Sequence, residues 1–296
     1  MMLALAALAL AAGEPRAVLN IDPAVQLVEG IATDGKHTYL SSPTERAILV
    51  CRKTCDGRID LSGEDVVPMG IAWDKRRRQL WVTMSCPKPI TPGTCDHGVL
   101  RAFAPDGKLR AQLMPSDGGL KVGDVSAADD GTVLVSDSGS GAVFQVIESG
   151  GLAPVLAAHE GKSAQGSAVL ADGRLLLTDY SRGQTIVDRA TGTRTPLLRE
   201  GGKPLRGIDG IAAAGGRLFA IYNGEEPGAV LELTIDGAKL AYRVIAEGGS
   251  FKDLTQIAVD GSDLLVVSGS GWATIDKPSR PGPGAAVIRL PIPPRN

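Results

Sequence analysis

One pattern recurs six times along the chain and limits its fold more than any other feature: small or apolar residues, an Asp/Gly turn, then an apolar run. The segments are EGIATDGKHTYLSS from Glu29, MGIAWDKRRRQLWVTMS from Met69 and GDVSAADDGTVLVSDSG from Gly123. They continue with QGSAVLADGRLLLTDYS from Gln165, DGIAAAGGRLFAIYNG from Asp209 and TQIAVDGSDLLVVSGSG from Thr255. Their second residues are Gly30, Gly70, Asp124, Gly166, Gly210 and Gln256, at intervals of 40, 54, 42, 44 and 46. Two apolar runs joined by a turn of this kind read as a β-hairpin. A third strand-like run follows each hairpin: AILVC, GVLRAFA, AVFQVIE, QTIVDRA, AVLELTI and AAVIRLP. Four antiparallel strands every 40–46 residues, repeated about an axis, make a β-propeller. The fold class is therefore all-β, a single six-bladed propeller over residues 16–296. A solenoid would need distinct capping repeats, and none is visible.

Closure follows from the same count. The sixth unit runs out of sequence before an outer strand, while RAVLNID at 16–22 precedes the first unit as a spare one. The N-terminal strand should complete the last blade, which removes an exposed sheet edge. The 38 glycines in 296 residues suit a chain of many tight turns, and they leave little room for a helical bundle or a doubly wound α/β fold. A formal net charge of −2 offers no basic face for nucleic acid. No apolar run beyond the N-terminus approaches the ~20 residues of a membrane span. The expectation is a monomer that acts on a small molecule, with no integral membrane segment after signal removal.

Residues 1–12, MMLALAALALAA, form a short apolar run with the small-x-small sequence Ala9-Leu10-Ala11 near its end. That is the pattern of a secretory signal, and it implies an exported protein, periplasmic or secreted. No Lys or Arg precedes the run, so a mis-assigned start or a buried strand is the competing reading. The four cysteines, Cys51, Cys55, Cys86 and Cys95, fall into two local pairs whose spacings do not suit a zinc site. In an exported chain they read as disulfides. Cys51 ends a third strand, at the end of the barrel opposite the Cys86–His97 insertion, so Cys51–Cys55 and Cys86–Cys95 are the pairs within bridging reach. Four reduced cysteines in a cytosolic chain is the alternative.

Propeller geometry places the residue before each first strand at one mouth of the central channel. Loops after the second strands reach the same mouth, with Asp179, Tyr222, Asn223 and Trp272 among their residues. Glu29 and Asp209 thus face one narrow channel. Confined like charges repel unless a cation joins them. An all-oxygen surrounding favours a hard divalent ion, Ca²⁺ first, with Gln165 and Asp124 as assisting ligands. The competing reading has these acids bonded to strand backbone or to channel water.

The blade-start patterns resemble those of the senescence marker protein (regucalcin) and gluconolactonase family, and of related strictosidine-synthase-like and paraoxonase-like propellers. The resemblance spans nearly the whole chain beyond the N-terminal run. It implies a six-bladed, metal-dependent hydrolase of lactones or related esters. Glu29 in VEGIATDG matches the family Glu of blade one, and Asp209 in IDGIAAA matches the family Asp of blade five, a metal ligand and candidate base. The family Asn of blade four is Gln165 here, and that of blade three falls on Gly123, with Asp124 following. By likeness to paraoxonase-like members, His97 is a candidate proton acceptor.

Other motifs are silent. Gly139-Ser140-Gly141 is a turn rather than a nucleophile elbow. Ser268-Gly269-Ser270-Gly271 precedes no helix and no Lys-Ser/Thr pair. Lys75-Arg76-Arg77-Arg78 reads as a solvated hairpin tip. The functional expectation is a lactonase-like hydrolase in which Glu29, Asp209, Gln165 and Asp124 hold the ion. Asp209 or an activated water is then the base. The rival is a non-catalytic exported propeller of the NHL type that binds a ligand or protein through the same mouth.

Overall fold

A computed structural model describes residues 14–88, 90–91, 95, 97–114, 121–276 and 284–295. The expected signal segment, 1–12, lies outside these residues. The described chain forms six four-stranded antiparallel sheets. Blade one is Gly30–Thr33, Thr38–Ser42, Ala47–Cys51 and Gly57–Asp60 from the axis outward. Four further blades repeat this order, and the outer strand of blade six is Arg16–Asn20. That strand pairs antiparallel with Ala286–Pro291, with Ala17 opposite Ile288 and Asn20 opposite Ala286. The ring is closed as the repeat predicts, by strands from the two ends of the chain.

The second strands are buried along nearly their whole length because each is covered on both faces, and successive side chains of a strand point to opposite faces. Tyr39 packs towards blade two, while Leu40 packs towards blade six. Leu176 joins the core shared with blade five, whereas Leu175 and Leu177 join the one shared with blade three. Leu264 and Val266 face blade five, while Leu265 and Val267 face blade one. Six apolar clusters result, one in each seam between neighbouring blades.

The inner strands crowd the axis, and glycine makes that possible. A Cβ on Gly70 would lie 2.6 Å from Asp124 Oδ1, and one on Gly166 would lie 2.6 Å from the Asp209 carbonyl oxygen. In blades two to five the pairing of first and second strands slips at these positions, between Pro68 and Ile71, Val122 and Val125, Ala164 and Ser167, and Ile208 and Ile211. Such bulges free backbone groups and re-aim side chains. Second-strand hydroxyls take up the freed groups. Thr83 donates to the Gly70 and Gly123 carbonyls, Thr178 donates to Gly166, and the Asp124 amide donates to Ser136.

Both expected disulfides are present, Cys51–Cys55 and Cys86–Cys95. Disulfides belong to oxidising compartments, which points away from the cytoplasm. Among the described residues no helix is long and apolar enough to cross a membrane. The basic run at 75–78 is more than a solvated tip. Arg77 pairs with Asp74 and donates to the Gly131 carbonyl, while Arg76 donates to the Asp130 carbonyl, so the run clamps the next blade's hairpin.

Candidate functional site

Three carboxylates enter the channel from alternate blades: Glu29 from blade one, Asp124 from blade three and Asp209 from blade five. Burial pushes all three towards their neutral forms, and repulsion from neighbouring carboxylates adds to the rise at Glu29 and Asp209. The Glu29 carboxyl is raised by burial first, then by Asp209, and Trp272 partly offsets this by donating its indole Nε1–H to Glu29 Oε2. Asp209 is raised by burial, opposed by Asn223, with Asp124 adding to the rise. Asp124 is raised to about 6 by burial, although the Val125 amide and Gln256 favour its charged form.

Asp209 and Asn223 form the better organised half of the site. Asn223 Nδ2 donates to Asp209 Oδ2 at 2.9 Å and to the Leu254 carbonyl at 2.8 Å. Its backbone amide is anchored on the Gly207 carbonyl, and its own carbonyl accepts from the Tyr180 hydroxyl. With both amide protons engaged, Asn223 Oδ1 is left buried without a partner. A buried acceptor in that condition is costly, so it is a position at which a donor or cation would be favourable.

Gln165 is at the mouth of blade four, as the repeat requires. Its Oε1 lies 3.4 Å from where a Cβ on Gly123 would be, so the missing side chain of blade three makes room for the longer amide of blade four. Asp124 is one residue deeper. Its Oδ1 accepts from the Val125 amide, and its Oδ2 accepts from Gln256 Nε2 at 3.1 Å. Blades three and six are opposite each other, so this pair is a bar across the axis. Sequence reasoning did not assign Gln256 a role, yet the signal was present. Four blades place Gly at the aligned position, and the two exceptions are the pair that meet.

The other expected site residues have these surroundings. Asp179 spends its carboxylate on the backbone amides of Lys162, Ser163, Ser181 and Arg182, which makes it a loop organiser. Trp272 begins a short 3₁₀ turn, Trp272–Thr274, and reaches Glu29. Tyr222 closes over Gly207, whose absent Cβ would sit 3.1 Å from its ring. His97 pairs with Asp65 at 3.4 Å and lies 3.6 Å from Cys95 Sγ, rather than beside a channel carboxylate. Part of its insertion, residues 89, 92–94 and 96, falls outside the described residues. Among the described residues, the three channel acids do not gather their oxygens within 4.8 Å of one another. The one cluster of three His, Cys, Asp or Glu residues that does is Cys86, Cys95 and His97, and both of its sulfurs are in the disulfide.

Fold and channel together define a class: six-bladed β-propellers with buried carboxylates in the channel. Solved structures of similar fold include a putative gluconolactonase, at TM-score 0.66 and 16% identity over 95% of this chain and 92% of that one. A gluconolactonase from Xanthomonas campestris matches at TM-score 0.60 and 16% identity, over 94% and 88%. The PQQ-bound aldose sugar dehydrogenase from Streptomyces coelicolor matches at TM-score 0.63 and 13% identity, over 94% and 98%. At such identities the likeness is one of fold. No protein-family model matches the chain. No curated protein matches it either.

Proposed function

We propose that the protein is a metal-dependent hydrolase of lactones or related esters that works at the acidic channel mouth. The reading is carried by one observation: Asn223 Oδ1 is buried and unpartnered beside Asp209, a carboxyl that burial holds towards neutrality. The donor set fits a hard cation, since Glu29, Asp209, the Gln165 amide and Asn223 Oδ1 offer only oxygen, and calcium is the first candidate. When bound, such an ion polarises a carbonyl or phosphoryl oxygen.

The chain's own residues do the rest. Asn223 fixes the Asp209 carboxylate through Oδ2 and leaves Oδ1 of the acid to take a proton. A carboxyl whose affinity for a proton is raised towards neutrality suits a general base at physiological pH. Trp272 orients Glu29 by its indole hydrogen bond. The Asp124–Gln256 hydrogen bond spans the axis beneath the mouth and holds Asp124 away from it. Similar fold to two gluconolactonases supports the reading.

The test is thermal melting with Ca²⁺, Mn²⁺, Zn²⁺ or EDTA, on the wild type and on Glu29→Gln and Asp209→Asn, followed by a lactone screen using a pH indicator. An ion at a hundred times its dissociation constant should add ~2.7 kcal/mol. Either substitution should abolish the shift. Failure of every ion to shift the wild type overturns the reading. A second reading, a non-catalytic exported propeller that binds a ligand or protein at the mouth, is favoured by the same Asp124–Gln256 bond, which ties a channel acid to a side-chain amide.

A further inference from the structure

The outer strands of blades four and five differ in length. Blade four ends in Arg194–Pro196, three residues, while blade five ends in Lys239–Glu247, nine residues. The shorter strand cannot cover the longer one, and the face of blade five turned to blade four is left bare. Tyr242 and Val244 on that face are 42% and 46% exposed. The chain between the blades runs beside the start of the long strand, where the Leu240 amide donates to the Leu198 carbonyl, and a cavity of about 560 Å³ opens beyond. A volume of this size suits a small molecule.

The walls are of two kinds. Tyr222, Tyr242, Val244 and Pro204 supply aromatic and apolar surface. Arg199, Lys203 and Arg206 supply positive charge, against Glu225 and Glu247. None of these five charged groups makes an ion pair among the described residues. Arg199 is half-buried, and its Nε–H is fully buried without an acceptor. The unmet Arg199 donor, on the wall of a cationic, aromatic-lined cavity, calls for a ligand that accepts hydrogen bonds, carries negative charge and presents a flat ring.

We propose that the cleft between blades four and five is a binding site for a small aromatic anion, a ring bearing a phosphate or carboxylate, held by Arg199 and stacked on Tyr242. This site is separate from the acids of the channel and does not depend on the hydrolase reading.

Isothermal titration with three probes tests it: phenyl phosphate, phenol and inorganic phosphate. Phenyl phosphate should bind one per chain, with phenol and inorganic phosphate each at least about tenfold weaker. Arg199→Met should weaken phenyl phosphate about tenfold or more. Tyr242→Ala should weaken it several-fold, whereas Arg243→Gln on the opposite face of the same strand should not. The exposed pair Lys203→Met with Arg206→Met gives a second charge test if Arg199→Met fails to fold. Asp209→Asn should leave binding intact, which separates this site from the channel. Absence of heat with phenyl phosphate at millimolar concentration overturns the proposal. So does phenol binding as well as phenyl phosphate, or affinity that survives removal of the three cations.

Discussion

Asp209 and Glu29 are held in a setting that costs the ionised form, and this has a measurable sign. Their folded-state proton affinities are raised above those of the unfolded chain, mainly by burial. Between the unfolded value and the raised one, the native state binds more protons, so stability falls as pH rises through that window. Asp34, lowered to about 2 by hydrogen bonds from His37, Lys36 and Tyr39, acts in the opposite sense and loses its contribution as pH falls below about 4. In EDTA, urea midpoints should therefore peak in the mildly acidic range and decline towards pH 8, and Glu29→Gln should flatten the decline. A midpoint that rises steadily from pH 5 to 8 in EDTA contradicts this account. Glycine gives a second residue-scale contrast. Gly166→Ala drives a Cβ to 2.6 Å from one backbone atom and 2.8 Å from another, so it should cost about 2 kcal/mol or more in chemical denaturation. Gly63, with nothing within 4 Å and no positive φ, should accept Ala with a change of under about 1 kcal/mol.

At the scale of the element, the strand count and the closing strand were readable because hairpin turns recur at a regular interval. Glu29 and Asp209 were readable because each opens a unit. The bulges were not readable, since slippage at Val122/Val125 or Ile208/Ile211 depends on how tightly neighbouring inner strands meet at the axis. Asp124 and Asp209 lie within two of these slips, and their carboxylates meet the side-chain amides of Gln256 and Asn223. The pair Asp124 and Gln256 is separated by 132 residues, and only the ring geometry makes them opposite. What the sequence did not show of Asp179, expected at the mouth, is that backbone amides of its own loops use its oxygens. The Cys51–Cys55 bridge was legible from spacing, and it closes a very short loop. Loop-closure entropy then assigns it about 2 kcal/mol. The Cys51→Ala, Cys55→Ala double variant should lose roughly that amount, and a loss twice as large would show that packing of the buried Cys51 dominates instead.

For the whole molecule, each blade is stable only because both neighbours cover it. Every seam holds its own apolar cluster, and the seam between blades six and one includes Leu19 from the closing strand. Leu19 is 3% exposed, so Leu19→Asp places a charge in that seam and should cost about 4 kcal/mol or more. Arg16, exposed on the same strand, should accept Gln with a change within about 0.5 kcal/mol. Equal effects of the two variants on the melting temperature would mean that closure contributes little to the ring.

Closure by the first strand also sets an order of events in time. Arg16 and Arg289 sit opposite each other in the finished sheet, yet a ribosome adds residues at about 5–20 per second, so the closing strand waits roughly 14–55 s for its partner. Until Ala286–Pro291 is made, Arg16–Asn20 has no strand to pair with, and Leu19 lacks the blade-six side chains of its seam.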